Sequence, residues 1–261
     1  MRSLSIGATG MLAQQLNVET ISNNIANMTT TGFKRQRAEF TDLLYQNQRR
    51  VGSTSSDAGT VVPSGIQIGA GVKTTAVYRI NEQGNISVTG NKLDLAINGQ
   101  GYFQILLPNG DTAYTRAGSF QLNAEGTVVT ADGYQVQPGL VVPQNAVDIT
   151  VNANGEVLVK LDGQTEPQNV GQIQLAVFPN NGGLEAIGDN LYLETPASGQ
   201  AVAGNPGAPG YGRLMQEALE TSNVNIVSEI TSLITAQRAY EMNSKVISTT
   251  DQMLQSVSQL R

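Results

Sequence analysis

Residues 4–27 read Leu4-Ser5-Ile6-Gly7-Ala8-Thr9-Gly10-Met11-Leu12-Ala13-Gln14-Gln15-Leu16-Asn17-Val18-Glu19-Thr20-Ile21-Ser22-Asn23-Asn24-Ile25-Ala26-Asn27. Leu4, Met11, Val18 and Ile25 recur at seven-residue steps, with Leu12, Leu16 and Ile21 beside them. That is the spacing of one apolar stripe along an α-helix. The far end of the chain repeats it through Ile226, Leu233, Tyr240, Ile247 and Leu254, flanked by Ile230, Ile234, Val246 and Val257. Companion heptad positions are mostly small or polar at both ends: Ala8, Gln15 and Ser22, then Ile230, Gln237, Ser244, Asp251 and Ser258. A two-stranded coil with half its seam polar is weak, so the pattern fits either helices with several partners or an ordinary bundle face. The two segments lie far apart in the chain, so pairing them requires the chain to return to its start.

Between these ends the period changes from helix to strand. Val72-Lys73-Thr74-Thr75-Ala76-Val77-Tyr78-Arg79-Ile80 alternates in character, and later segments do the same up to Leu193. Turn signals separate them: Pro108-Asn109-Gly110-Asp111, Asn123-Ala124-Glu125-Gly126, Ala131-Asp132-Gly133, Asn154-Gly155, Asp162-Gly163 and Asn180-Asn181-Gly182-Gly183. The fold class expected is α+β, with N- and C-terminal helices pairing in coiled-coil fashion around a mainly antiparallel β central domain. Thr29-Thr30-Thr31-Gly32 is expected to end the first helix, since β-branched residues resist helix and glycine supplies a left-handed cap. Phe33, Phe40, Leu43 and Leu44 suggest a shorter helical or irregular piece. From Asn47 to Gly71 the composition turns to Gly, Ser, Thr, Val and Pro, which suits a linker or an extended β hairpin equally. The last helix is expected to open near Asn225, with Glu229 favouring the dipole of its first turn.

Composition narrows the chemistry. The chain has 261 residues, room for one large domain or two ordinary ones. It contains no Cys and no His, which excludes thiolate nucleophiles, disulfides, Ser-His catalysis and ordinary zinc sites. Charged residues make up only 14%, against roughly 25% in ordinary domains, so the surface presents amides and hydroxyls. A net charge of -6 gives no footprint for nucleic acid. Polar residues interrupt the N-terminal apolar run before it reaches signal-peptide length, and no segment is apolar enough to span a membrane.

Isolated motifs have ordinary explanations. Gly99-Gln100-Gly101 lacks the third glycine and the helix of a dinucleotide fingerprint. Asp94, Asp111, Asp132, Asp148, Asp162 and Asp189 lie in or beside turns, where carboxylates cap backbone. Lys34, Arg35 and Arg37 suit a solvated face or a binding patch equally. The glycosylation-like triplets at Asn27 and Asn85 are matches that arise often by chance, and Glu241–Lys245 is local helix support. No catalytic, cofactor or metal residue is assigned, and no cofactor is expected. Harder to dismiss are Asn23, Asn24 and Asn27, which cost a helix about half a kcal/mol each relative to Ala, and the polar run around Tyr240.

Those two runs carry a resemblance. Asn23-Asn24-Ile25-Ala26-Asn27-Met28-Thr29-Thr30-Thr31-Gly32-Phe33-Lys34-Arg35 resembles the N-terminal signature of the rod and hook family of bacterial flagellar axial proteins. Ser222-Asn223-Val224-Asn225-Ile226-Val227-Ser228-Glu229 and Gln237-Arg238-Ala239-Tyr240-Glu241-Met242-Asn243-Ser244-Lys245 are similar to its C-terminal signature. Ile97-Asn98-Gly99-Gln100-Gly101-Tyr102-Phe103 and Tyr114-Thr115-Arg116-Ala117-Gly118-Ser119-Phe120 match central motifs, with Tyr102 where Phe is common. Chain length and the segment from Asn47 to Gly65 resemble the distal-rod branch; hook and proximal-rod proteins are the alternatives within the family.

The resemblance implies a non-enzymatic, self-assembling subunit of a rigid hollow shaft that carries torque from motor to hook. It implies an inner tube core from residues 1–30 and 223–261, a connector with an extended hairpin from 31–71 and 211–222, and an outer β domain at 72–210. Self-assembly is assigned to Leu4, Met11, Val18, Asn23, Asn24, Ile25, Asn27, Ile226, Leu233, Gln237, Tyr240, Asn243, Ile247 and Leu254. Stiffening is assigned to Asn47, Val61, Val62, Pro63, Ser64 and Gly65. Implied partners are further copies of the chain, proximal rod proteins, hook protein, surrounding ring proteins and the type III export apparatus. The implied location is the basal-body rod crossing the periplasm, reached without a cleaved signal. A secreted carbohydrate-binding β protein with oligomerising helices is the competing class.

Overall fold

The computed structural model describes residues 2–52, 64–164 and 166–259. Terminal helices in contact and antiparallel β structure between them make the chain α+β, as the periodicity predicts. The residues divide into two compact units: 1–25, 36–78 and 226–261 form the first, and 26–35 with 79–225 the second.

The first unit is built on helix α1, Arg2–Ala26, and helix α2, Ile226–Gln259. With 25 and 34 residues they measure about 38 and 51 Å at the usual rise. α1 stops before the Thr29–Gly32 run expected to end it. The turn at Asn27 intervenes, where Thr30 donates its backbone N–H to the Asn27 carbonyl and its hydroxyl to Asn27 Oδ1. Gly32 does adopt positive φ (69°), but within the following turn rather than as the helix cap. Along α2 the hydroxyls of Thr231, Thr235, Ser248, Thr249, Thr250 and Ser256 all donate back to the carbonyl four residues earlier. They are thereby satisfied without leaving the helix.

Residues Gln36–Asp42 form a strand, not the helical or irregular piece expected from Phe33, Phe40, Leu43 and Leu44. Short apolar runs do not separate strand from helix by period alone, and here Val72–Arg79 supplies a partner strand. Thr41 and Thr75 hydroxyls meet at 2.9 Å across this ribbon, and the Tyr78 hydroxyl donates to Glu39 at 3.1 Å. Beyond it Tyr45–Arg49 pairs with Ile66–Gly69 as an antiparallel hairpin, Gln46 opposite Ile68 and Asn47 opposite Gln67. Of the two readings open for this stretch, the hairpin is the one the described residues adopt. Val61, Val62 and Pro63 lie outside the described residues.

In the second unit the hub is Tyr102–Leu106. It pairs with Thr112–Thr115 on one edge, and with Gln135–Val136 and Leu175–Val177 on the other. β-Turns close the hairpins as the sequence signals require: the Gly110 N–H donates to the Leu107 carbonyl, Gly126 to the Asn123 carbonyl and Gly155 to the Asn152 carbonyl. Ala146–Val151, Glu156–Leu161 and Gln168–Gln172 make a separate three-stranded sheet. Its Val157 and Val159 meet Phe103, Ile105, Phe120 and Leu175 in one core. Phe103 and Phe120 stack edge to face at 5.1 Å. A second cluster joins Tyr102, Tyr114, Phe178 and Tyr192.

Candidate functional site

The contact between α1 and α2 uses small residues. A Cβ on Gly7 would stand 3.0 Å from Ile247, and one on Gly10 only 2.9 Å from the Asn243 amide. Glycine in mid-helix costs about 1 kcal/mol relative to Ala; here it allows the partner helix to approach. Apart from Ile21, the buried residues of the helix pair are correspondingly small or polar: Gly7, Ala13, Thr20 and Asn24 on α1, Glu229, Ala236 and Thr250 on α2. Asn243 and Ile247 join them as partly buried residues facing the glycines.

The large apolar residues of the predicted stripe occupy other positions. Leu4, Met11, Val18, Ile25 and Leu233 are partly exposed, whereas Ile226, Tyr240 and Leu254 are exposed by 43, 42 and 40%. Val18, Tyr240 and Gln237 line a groove between the helices, together with Gln15, Glu19 and Glu241, with a volume of about 350 Å³. The predicted residues thus fall into two sets. Asn243 and Ile247 face α1, while Val18, Gln237 and Tyr240 face a groove that this chain leaves open.

Asn24 is spent internally. Its side chain donates to the Gln36 carbonyl and accepts from the Gln36 N–H, both at 2.8 Å, and also donates to the buried Glu229 at 3.1 Å. This repays the cost of asparagine in a helix by fixing the start of the ribbon on α1. Asn23 is exposed and hydrogen-bonded or otherwise engaged, and Asn27 closes the turn after α1. At its other end the ribbon is fixed by Gly71, whose φ of 128° brings it so near Thr9 that a Cβ would overlap the hydroxyl. The Val72 N–H donates to that same oxygen at 3.4 Å. From this anchorage the hairpin projects with Tyr45–Arg49 exposed at every position. Of the predicted stiffening residues, Asn47 is in its first strand, and Ser64 and Gly65 lead into its second. Gly65 packs so closely against the Arg49 carbonyl that a Cβ would overlap it.

One functional cluster in the second unit has no local sequence signal. Lys34, for which a solvated face and a binding patch were equally open, is 3% exposed. Its ammonium donates to Glu220 Oε1 at 2.6 Å and to the Glu82 carbonyl at 2.8 Å. Arg116 grips the other oxygen of Glu220 through Nε at 2.9 Å and Nη2 at 2.8 Å. Its Nη1 donates to the Gly99 and Gly101 carbonyls at 2.8 and 2.7 Å. Glu220 also accepts from the Gly84 N–H. Burial pushes the Lys34 ammonium below its usual range, Glu220 opposes this, and Arg116 adds to it. Asn223 completes the closure, accepting from the Arg35 N–H and donating to the Ile80 and Glu82 carbonyls. Two signature segments, through Lys34 and Arg116, therefore meet on one carboxylate.

Glycines traded for helix contact, an apolar flank left uncovered, and polar residues spent on closure are the features of a structural protein. Among the described residues no cluster of acidic side chains could hold a metal, and no helix is long and apolar enough to cross a membrane. Comparison with known proteins makes the class specific. Residues 4–34 match the family described as flagella basal body rod protein, 96–159 the flagellar hook protein FlgE/F/G D1 domain, and 215–260 the flagellar basal body rod FlgEFG protein C-terminal region. Over 261 residues the chain is 67% identical to the flagellar basal-body rod protein FlgG of Caulobacter vibrioides, covering all of both chains. It is 54% identical to FlgG of Agrobacterium fabrum over 258 residues, 99% of this chain and 98% of that one. Identity to FlgG of Buchnera aphidicola from Acyrthosiphon pisum is 51% over 258 residues, 99% of each. The chain belongs to the FlgG family of flagellar basal-body rod proteins, which are structural subunits of the rod and not enzymes.

Proposed function

We propose that the chain is the repeating subunit of the distal rod, polymerising into a rigid hollow shaft that passes torque from motor to hook. The observation that carries this is the division of labour on the terminal helices. Contact within the chain uses Gly7, Gly10, Asn243 and Ile247, and leaves Ile226, Tyr240 and Leu254 at least 40% exposed beside an open groove. An apolar flank of that kind is covered when further copies add along a helical path, a heterologous contact that does not close on itself. Leu4, Met11, Val18, Ile25 and Leu233 then extend the same flank, with Asn23, Asn27 and Gln237 supplying polar contacts that set register. Residues 1–30 and 223–261 form the tube core in this reading, 31–71 and 211–222 the connector, and 72–210 the outer domain.

The remaining partners follow from position in a shaft: proximal rod proteins at one end, hook protein at the other, ring proteins around it, and the type III export apparatus that delivers the chain across the periplasm. The test is negative-stain electron microscopy of concentrated full-length protein beside a chain lacking residues 1–30 and 223–261. Straight tubes from the first and none from the second are expected. Compact particles from both, unchanged by rod-tip seeds, would overturn the assignment.

A further inference from the structure

The second unit contains a polar cleft of about 200 Å³ at the turn Gly99–Gly101. Lys34, Arg116, Tyr102 and Asn181 line it, together with amide side chains that include Gln83 and Gln100. Two features of this cleft are not accounted for by the unit's own bonding. The first is charge: Lys34 and Arg116 are both buried and share a single carboxylate, that of Glu220. Arg79 lies over the Tyr192 ring at 5.5 Å, and that ring packs against Tyr102, so a further cation stands nearby. A surplus of buried positive charge favours an anion. The second is a buried acceptor. Asn181 Oδ1, on the cleft wall, has no hydrogen-bond partner among the described residues. Such an oxygen requires a donor to offset its lost hydration.

The two deficits match a single group: a carboxylate with an N–H close beside it. We propose that this cleft is a carboxylate-binding subsite for an acylated amino-acid residue. Its carboxylate would lie on the side of Lys34 and Arg116, and its amide N–H would donate to Asn181 Oδ1. A small N-acyl amino acid carries this chemistry, and so does an acidic residue or chain end of a second copy. The site is independent of the tube reading, because its residues all lie in the second unit.

The test follows the Arg116 Nε–H resonance in full-length, arginine-labelled protein kept dilute enough to remain monomeric. Sodium acetate, N-acetylglycine and sodium chloride are added at matched ionic strength. Saturable shifts are expected with both carboxylates and none with chloride. N-acetylglycine should saturate at roughly fivefold lower concentration than acetate, the value of one added hydrogen bond. Asn181→Leu should erase that preference, and the isosteric Asn181→Asp should weaken both carboxylates about tenfold by like-charge repulsion. Equal, non-saturating shifts from all three salts would overturn the proposal, as would a preference unchanged in Asn181→Leu. Should Asn181→Leu fail to fold, Asn181→Asp decides alone. Raising the protein concentration without probe identifies the source. Movement of the resonance along the N-acetylglycine path means a second copy occupies the cleft, and a fixed resonance means a small acid does.

Discussion

Glu220 is the side chain on which the second unit closes, and its partners differ in what they contribute. Removing it by Glu220→Ala would leave Lys34 and Arg116 buried without a counter-ion, a loss of about 3–5 kcal/mol for a broken buried pair. Lys34→Met is expected to cost far less, since Arg116 and the Gly84 N–H still hold Glu220 while the methionine fills the space. Chemical denaturation of both variants checks the order; equal losses would show that Lys34, not the carboxylate, carries the cluster. The shift at Lys34 also has a sign. Its ammonium titrates at lower pH in the folded chain than in the unfolded one, so between those two values the unfolded state binds more protons. Stability contributed by this group should therefore rise with pH across that alkaline window, and the slope should vanish in Lys34→Met. None of this was legible locally. Lys34, Arg35 and Arg37 form a short basic run, and the carboxylate that buries the first of them comes from 186 positions away.

The helices and their pairing were legible, but not the residues that make the contact. Heptad spacing marks Leu4, Met11, Val18 and Ile25 because large apolar residues dominate any hydrophobic pattern, whereas the contact within the chain is made where side chains are missing, at Gly7 and Gly10. A helical glycine pair spaced three apart was the available signal. Gly10→Val should separate the helices, because its side chain must occupy the Asn243 position. Loss of α-helical circular dichroism in the monomer is the expected result, and Gly10→Val combined with Asn243→Ala should recover part of it. Unchanged helicity in the single variant would mean the contact is not needed for helix formation. The ribbon was misread for a related reason: Phe40 to Leu44 is too short to reveal its period, and its strand character depends on Val72–Arg79 arriving beside it. The hairpin beyond it is anchored to α1 at Thr9 through Gly71 and Val72. Deleting residues 47–65 should then give tubes that curve under the microscope. Straight tubes of unchanged stiffness would remove the hairpin from the account of rigidity.

At the scale of the whole molecule, both units are closed by residues from opposite ends of the sequence. Asn24 meets Glu229 across 205 positions in the first, and Lys34 meets Glu220 across 186 in the second. Contacts of such separation form late, because the loop they close must be ordered before they contribute. Neither closure can form until the chain is available as far as Glu220, about five-sixths of its length. Each unit thus carries its latch near the trailing end of the sequence, and stays open until that end is in place.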